Sequence, residues 1–359
     1  MLEANELHRR FVELMQQPGL IRNLTTDIVA YEQNGVVAPA SVNDYHPQNC
    51  YVVSPLTQII YYARDELPKV ESALLRYFCF GLTHLLEWPF RLARVDRLQV
   101  LNNQCLSTNF YSANWRELNL RALREQALRR FPKHALMLRS LNARQHPDII
   151  VQAREDGWLP IISRQVYLFL DREQWWNRNN TRADDRLLRQ PNWSFKELDP
   201  DDETQMARAE QLYNQLYLEK YSHHNVRFSA DYLSAFSRSG LLKLFGLFHQ
   251  DELLGVAGLF GVDQTLTAPV VGYDTRLPAK MALYRRIMAF VIRYAMDNKL
   301  ELNLSSGAPD FKKLRGAEAT IEYSYVYVAH LGLYQRAVWR GLSLLTEKLY
   351  RPILEKFEL

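Results

Sequence analysis

Apolar residues recur along the chain at two alternating spacings. Over 118–131, Leu118, Leu120, Leu123, Ala127 and Leu128 fall at helical intervals and predict a helix with one buried stripe. The same period predicts helices over 203–221, 230–239 and 281–298, and a helix over 71–90 that stops at Pro89. Between them, runs rich in β-branched and aromatic residues predict strands over 50–63, 95–105, 135–141, 159–170, 241–249, 253–262, 270–273, 302–305 and 321–330. The link Gln250-Asp251-Glu252 predicts a tight hairpin. Helices alternating with strands place the chain in the α/β (α+β) class, with mixed sheets flanked by helices.

The pattern also divides the chain. Residues 1–40 predict an N-terminal cap, a helix through Leu14 followed by a loop rich in Asn, Gly and Pro. The polar stretch 171–203, with Pro191, Pro200 and Asn179-Asn180, predicts a connection between two halves. Those halves echo each other. Helix 118–131 and strand 135–141 match helix 281–298 and strand 302–305, and Gly157 before 159–170 matches Gly316 before 321–330. Both offsets are roughly 160 residues, the fixed-period self-similarity of a duplication. The layout is a cap (1–40), a first half (41–175), a linker (176–202), a second half (203–332) and a C-terminal amphipathic helix (333–359) broken by Pro352.

Composition narrows the function. A length of 359 residues suits two domains, and 47% hydrophobic with 23% charged residues is globular. The net charge of +4 lacks the clustered basic stripe of a dedicated nucleic-acid binder, but leaves room for a local basic patch facing a phosphate-bearing donor or an acidic carrier protein. Three cysteines without CxxC spacing argue against a disulfide framework or zinc site and for a reducing, cytoplasmic compartment. The start of the chain lacks the apolar core of a signal peptide. The most apolar stretch, 74–93, is interrupted by Arg76, His84, Glu87, Pro89 and Arg91, which predicts a buried or half-buried helix and no membrane span.

Candidate chemistry concentrates in 270–330. A strand ending in Gly272-Tyr273-Asp274 beside a helix start is the usual place for a ligand in α/β folds, although Asp274 also suits a helix cap. After strand 302–305, Ser305, Ser306 and Gly307 with Lys312 and Arg315 bring hydroxyls, a flexible glycine and cations together. That set can bind an oxyanion, or it can be a turn on a solvated basic helix. On the last strand, Glu322, Ser324 and Val326 share one face and Tyr323, Tyr325 and Tyr327 the other. Glu322 suits an amine-deprotonating base and Tyr325 a leaving-group acid; a purely structural tyrosine row is the alternative. His223 suits a general base or a helix C-cap, and the His223-His224 pair has no further metal ligand at suitable spacing. There is no Gly-x-Ser-x-Gly elbow and no P-loop, and Cys105 lacks an activating context, so the pattern favours direct transfer.

The order Gly-Tyr-Asp, helix, strand–Ser–Gly, Phe311-Lys312, Arg315-Gly316 and an aromatic strand resembles the duplicated GNAT-fold acyltransferases, including the Fem-type aminoacyltransferases of bacteria. The resemblance covers 230–330 well and 50–170 by layout. It implies tandem GNAT-like halves and a role for Lys312 in stabilising a tetrahedral oxyanion. Acetyl-CoA-dependent relatives carry an Arg/Gln-x-x-Gly-x-Gly/Ala loop. Here the matching stretch runs from Arg276 to Met281, with Ala279 and Met281 at the small-residue positions. Arg276, Lys280 and Arg285 are the donor-binding candidates. The resemblance implies N-acylation of a small-molecule amine by acyl-CoA or an acyl-carrier protein as co-substrate, without a tightly bound cofactor. The alternatives are an aminoacyl-tRNA-dependent transferase or a non-catalytic ligand-binding protein.

Overall fold

Eleven strands pair edge to edge in a computed structural model that describes residues 2–69 and 72–357. They are β1 (Asp27–Gln33), β2 (Val36–Asn43), β3 (Leu98–Leu101), β4 (Ala135–Asn142), β5 (Leu159–Phe169), β6 (Trp193–Glu197), β7 (Lys243–His249), β8 (Glu252–Val262), β9 (Thr265–Tyr273), β10 (Glu301–Asn303) and β11 (Glu318–Tyr327). The helices are α1 (Ala4–Leu14), α2 (Tyr62–Glu66), α3 (Ala73–Leu92), α4 (Leu120–Arg130), α5 (Pro147–Glu155), α6 (Arg172–Trp176), α7 (Asn179–Leu188), α8 (Glu203–Asn214), α9 (Ala230–Arg238), α10 (Leu283–Asp297), α11 (Pro309–Lys313), α12 (Leu333–Leu345) and α13 (Arg351–Phe357).

The strand order, β1-β2-β3-β4-β11-β5-β10-β9-β8-β7-β6, reads alike outward from its middle. β11 and β5 are antiparallel. β4 and β10 flank them, also antiparallel. β3 and β9 follow in parallel, then β2 and β8 antiparallel. The unit β3-α4-β4-α5-β5 therefore repeats as β9-α10-β10-α11-β11, and each unit hands its last strand to the other. The duplicated pattern in the sequence becomes one continuous sheet with a pseudo-dyad between β5 and β11.

Several local expectations change. After Leu14 the chain is a loop only as far as Thr26; the hairpin β1–β2 follows, turned by Asn34 and Gly35, both with positive φ, the Asn-Gly signature of a two-residue hairpin. The run 50–63 forms no strand. It carries a π-helical stretch (Thr57–Tyr61) leading into α2, launched where the Asp96 carboxylate accepts from Ser54 and from the Leu56 amide. Only Leu98–Leu101 of 95–105 is extended. The segment 171–203 holds α6, α7 and β6. Pro352 sits in the first turn of α13, which the missing N–H tolerates. Helix α3 begins at Ala73, the expected start at Glu71 lying outside the described residues. It is not buried: Leu74, Tyr77, Phe78, Leu85, Trp88 and Leu92 are all exposed. No helix of the described residues is long and apolar enough to cross a membrane.

Gly272 fixes how close α8 lies to the sheet. A Cβ there would come within 2.5 Å of the α8 backbone at Leu212 and Tyr213, so glycine is required for this approach.

Candidate active site

β9 and β10 pair in parallel only at Thr265–Glu301 and Leu266–Leu302. β10 stops at Asn303, so the carboxyl-terminal part of β9 runs on without it. Next to this opening, Leu304, Tyr217, Tyr273, Tyr284 and Phe311 join one apolar cluster. Tyr217 lies in a second π-helical stretch, Gln215–Tyr221, a backbone form that concentrates at functional sites. The two π-helical stretches belong to different halves and their flanks meet: Tyr61 stacks on His224 with ring centroids 5.8 Å apart, and Asp65 accepts from the Ser222 hydroxyl at 2.5 Å.

The loop after β10 curls around Lys312. The buried ammonium donates to the carbonyls of Leu304 (2.8 Å), Ser305 (3.2 Å) and Ser306 (2.8 Å) and lies over the Tyr167 ring. Ser305, Gly307 and Ala308 all have positive φ. With three carbonyls drawn inward, the amides of Ser306, Gly307 and Ala308 have no hydrogen-bond partner among the described residues. Successive free amides in such a turn form an anion-binding concavity. Burial, and secondarily the charge of Arg164, lowers Lys312 to about 7. All three of its N–H bonds are used on the loop, so Lys312 shapes the turn and does not project from it.

Glu322 lies at the pseudo-dyad, 3% exposed. One carboxylate oxygen accepts from Arg164 on β5 at 2.8 Å; the other, Oε2, is buried with no hydrogen-bond partner among the described residues. Arg164 also donates to the Ser107 carbonyl and Thr108 hydroxyl. The charges of Arg164, Arg139 and Glu322 all act on the buried Tyr51 hydroxyl, whose pKa burial raises. A polar cluster thus sits between the two halves, built from both.

The other predicted residues fall elsewhere. Buried Asp274 accepts from Arg276 at 2.8 Å and from Arg208 at 3.1 Å, so it anchors arginines and caps no helix. Arg276 is thereby tied back at the β9 end. Arg285 and Arg315 converge on Asp184 of α7, and Arg315 stacks 3.4 Å over Phe311. Lys280 is exposed in the turn Ala279–Met281; the left-handed residue before α10 is Ala282 (φ 54°), not Ala279 or Met281. Ala282 gives α10 no side-chain cap. Tyr273 is half-buried, with Lys220 at 3.5 Å from its hydroxyl. Tyr325 is fully buried in the first-half core, where its hydroxyl accepts from Arg154, on the face opposite Glu322. His223 is exposed, 3.5 Å from Asp65. Asp65, His223 and His224 place their ligand atoms within 4.8 Å of one another, a grouping the sequence spacing hid. Asp65 already serves Ser222 and faces both rings, and burial lowers His224 below the usual histidine range.

Sequence reasoning missed Arg164, Arg139, Tyr167 and Asp184. Arg164 had a signal, the one cation of β5. Asp184 lay in a stretch read as linker, where its helical spacing from Thr181 and Leu188 was the available cue.

Residues 177–313 match the model of the acetyltransferase (GNAT) domain family. A search of curated protein sequences finds no match. Among solved structures, FemX superposes with a TM-score of 0.53 at 11% identity, covering 94% of this chain and 99% of that one. The C-terminal domain of a candidate lysylphosphatidylglycerol synthetase from Agrobacterium fabrum superposes with a TM-score of 0.51 at 11% identity, covering 94% and 96%. At such identity the likeness is one of fold. Residues 177–313 thus match the acetyltransferase (GNAT) domain family, and nearly the whole chain shares its fold with FemX.

Proposed function

We propose that this chain is an N-acyltransferase acting at the junction of its two halves. The observation that carries the reading is Glu322: a buried carboxylate with one oxygen fixed by Arg164 and the other unengaged. Such a group is oriented and ready to accept a proton. The acceptor amine attacks the carbonyl carbon of an acyl thioester or ester, Glu322 takes the amine proton, and the carbon–sulfur or carbon–oxygen bond breaks to release a thiolate or alkoxide, which receives that proton. The developing oxyanion lies against the amides of Ser306 to Ala308, held in place by Lys312. Lys312 acts here by positioning.

The donor is an acyl-CoA or an acyl-carrier protein. Arg276 is engaged by Asp274, which leaves the uncapped start of α10 as the anion-binding group on this side. Aminoacyl-tRNA is the second reading, favoured by the fold shared with FemX. Mass spectrometry of amine acceptors incubated with each donor class tests both. Acylation that survives ribonuclease supports the thioester reading; acylation abolished by it selects tRNA; none with any donor removes the enzymatic proposal.

A further inference from the structure

Helix α3 is an amphipathic helix turned inside out. Its polar stripe faces the protein. Thr83 accepts from Arg64 at 3.1 Å, and Glu87 accepts from Arg64 at 2.7 Å, Arg91 at 2.8 Å and the Tyr61 hydroxyl at 3.0 Å. Its apolar stripe faces outward. Leu74 (83% exposed), Tyr77, Phe78, Gly81, Leu85, Trp88 (71%) and Leu92 (67%) recur at three- and four-residue steps with no charge among them. At the carboxyl-terminal end of the helix the surface continues. Tyr334 donates to the Pro89 carbonyl and Gln335 to that of Ala93, setting exposed Leu333 and Tyr334 beside it. Isolated apolar residues on a surface are ordinary; a contiguous stripe along a twenty-residue helix marks an interaction face.

The chemistry around the stripe identifies the occupant. A cleft of about 430 Å³ opens at the end of α3, lined by Arg91, Arg94 and Arg97 with Asp44 and Asp96. Asp44 is taken by Arg97, and Asp96 turns to Ser54 and the Leu56 amide. Arg94 has no ion pair among the described residues, so the cleft keeps a net positive charge at the edge of the apolar face. Aromatic and aliphatic side chains on one face with cations at the margin form the pattern of a helix that lies in a membrane interface. A second copy of this chain would meet arginines with arginines. The helix is also too poorly apolar to span a bilayer.

We propose that α3 docks this protein on the surface of an anionic phospholipid bilayer, the apolar stripe entering the acyl-chain boundary and the arginine cleft receiving lipid phosphate. Arg64 and Tyr61, which hold the polar side of α3, belong to the segment whose Tyr62 packs on Tyr51 and whose Asp65 meets Ser222.

Co-sedimentation of the full chain with vesicles tests this, using equimolar phosphatidylglycerol and phosphatidylcholine against phosphatidylcholine alone. Binding is expected to the anionic vesicles and to weaken with salt. The double substitution Leu85→Glu/Trp88→Glu is expected to lower partitioning at least about tenfold, and Arg94→Glu to lower it selectively for anionic vesicles. Both variants alter exposed positions, and unchanged thermal unfolding verifies that they fold. No binding to either vesicle overturns the proposal. So does equal binding by the folded double variant, or a concentration-dependent dimer in light scattering that the double variant dissociates while vesicles remain unbound.

Discussion

Asp274 ties Arg208 and Arg276 to the end of β9, and its carboxyl is held well below the usual range, chiefly by the Arg276 hydrogen bond. The folded state therefore binds fewer protons here than the unfolded chain. The stabilisation is complete above about pH 4 and is lost as the pH falls from there toward the folded value. Asp274→Asn is expected to cost about 1–3 kcal/mol at neutral pH, read by denaturant unfolding, with the difference from the parent shrinking in acid. Lys312→Met keeps the stem and removes the ammonium that gathers three carbonyls. Turnover is expected to fall about 10²-fold or more, with a smaller change in KM, because the oxyanion amides lose their fixed direction. At this scale residue type and placement made Glu322 a candidate, and the resemblance to GNAT-fold acyltransferases made Lys312 one. The sequence could not supply Arg164 or Asp184, because an ion pair between residues more than a hundred positions apart leaves no mark in local spacing.

Elements were legible where the period was strong. α10, β7, β8 and β11 follow the apolar pattern nearly to their ends. Where apolar residues carry no clear period, the reading failed. The run 50–63 is β-branched and aromatic, yet it folds as a π-helical stretch because tertiary contacts through Asp96 outweigh strand propensity. Helix α3 misled differently. A span rich in Leu and Phe with scattered polar residues reads as buried, but Thr83 and Glu87 face inward while most of its large apolar residues are exposed. At the element scale Gly272 makes a sharp prediction. Gly272→Ala would force α8 away from β9 and is expected to cost about 1–3 kcal/mol or more, measured by denaturant unfolding.

The whole molecule rests on the strand exchange at its centre. β5 leaves the first half to pair with β10, and β11 leaves the second to pair with β4. Neither half closes its sheet alone, so thermal unfolding is expected as one cooperative transition by calorimetry; two separated transitions would show independent halves. The repeat was visible in the sequence as an echo of helix–strand pairs. The exchange was not, because nothing in either copy states which partner its last strand will choose. That choice matters for function, since it sets Glu322 of one half against Arg164 of the other. The most direct measurement is therefore the steady-state rate of amine acylation by the parent protein and by Glu322→Gln. With Glu322 as the base, kcat/KM of the variant falls about 10²–10⁴-fold, while thermal unfolding stays cooperative. A folded Glu322→Gln protein that acylates at the parent rate would contradict the assignment of the site to this junction.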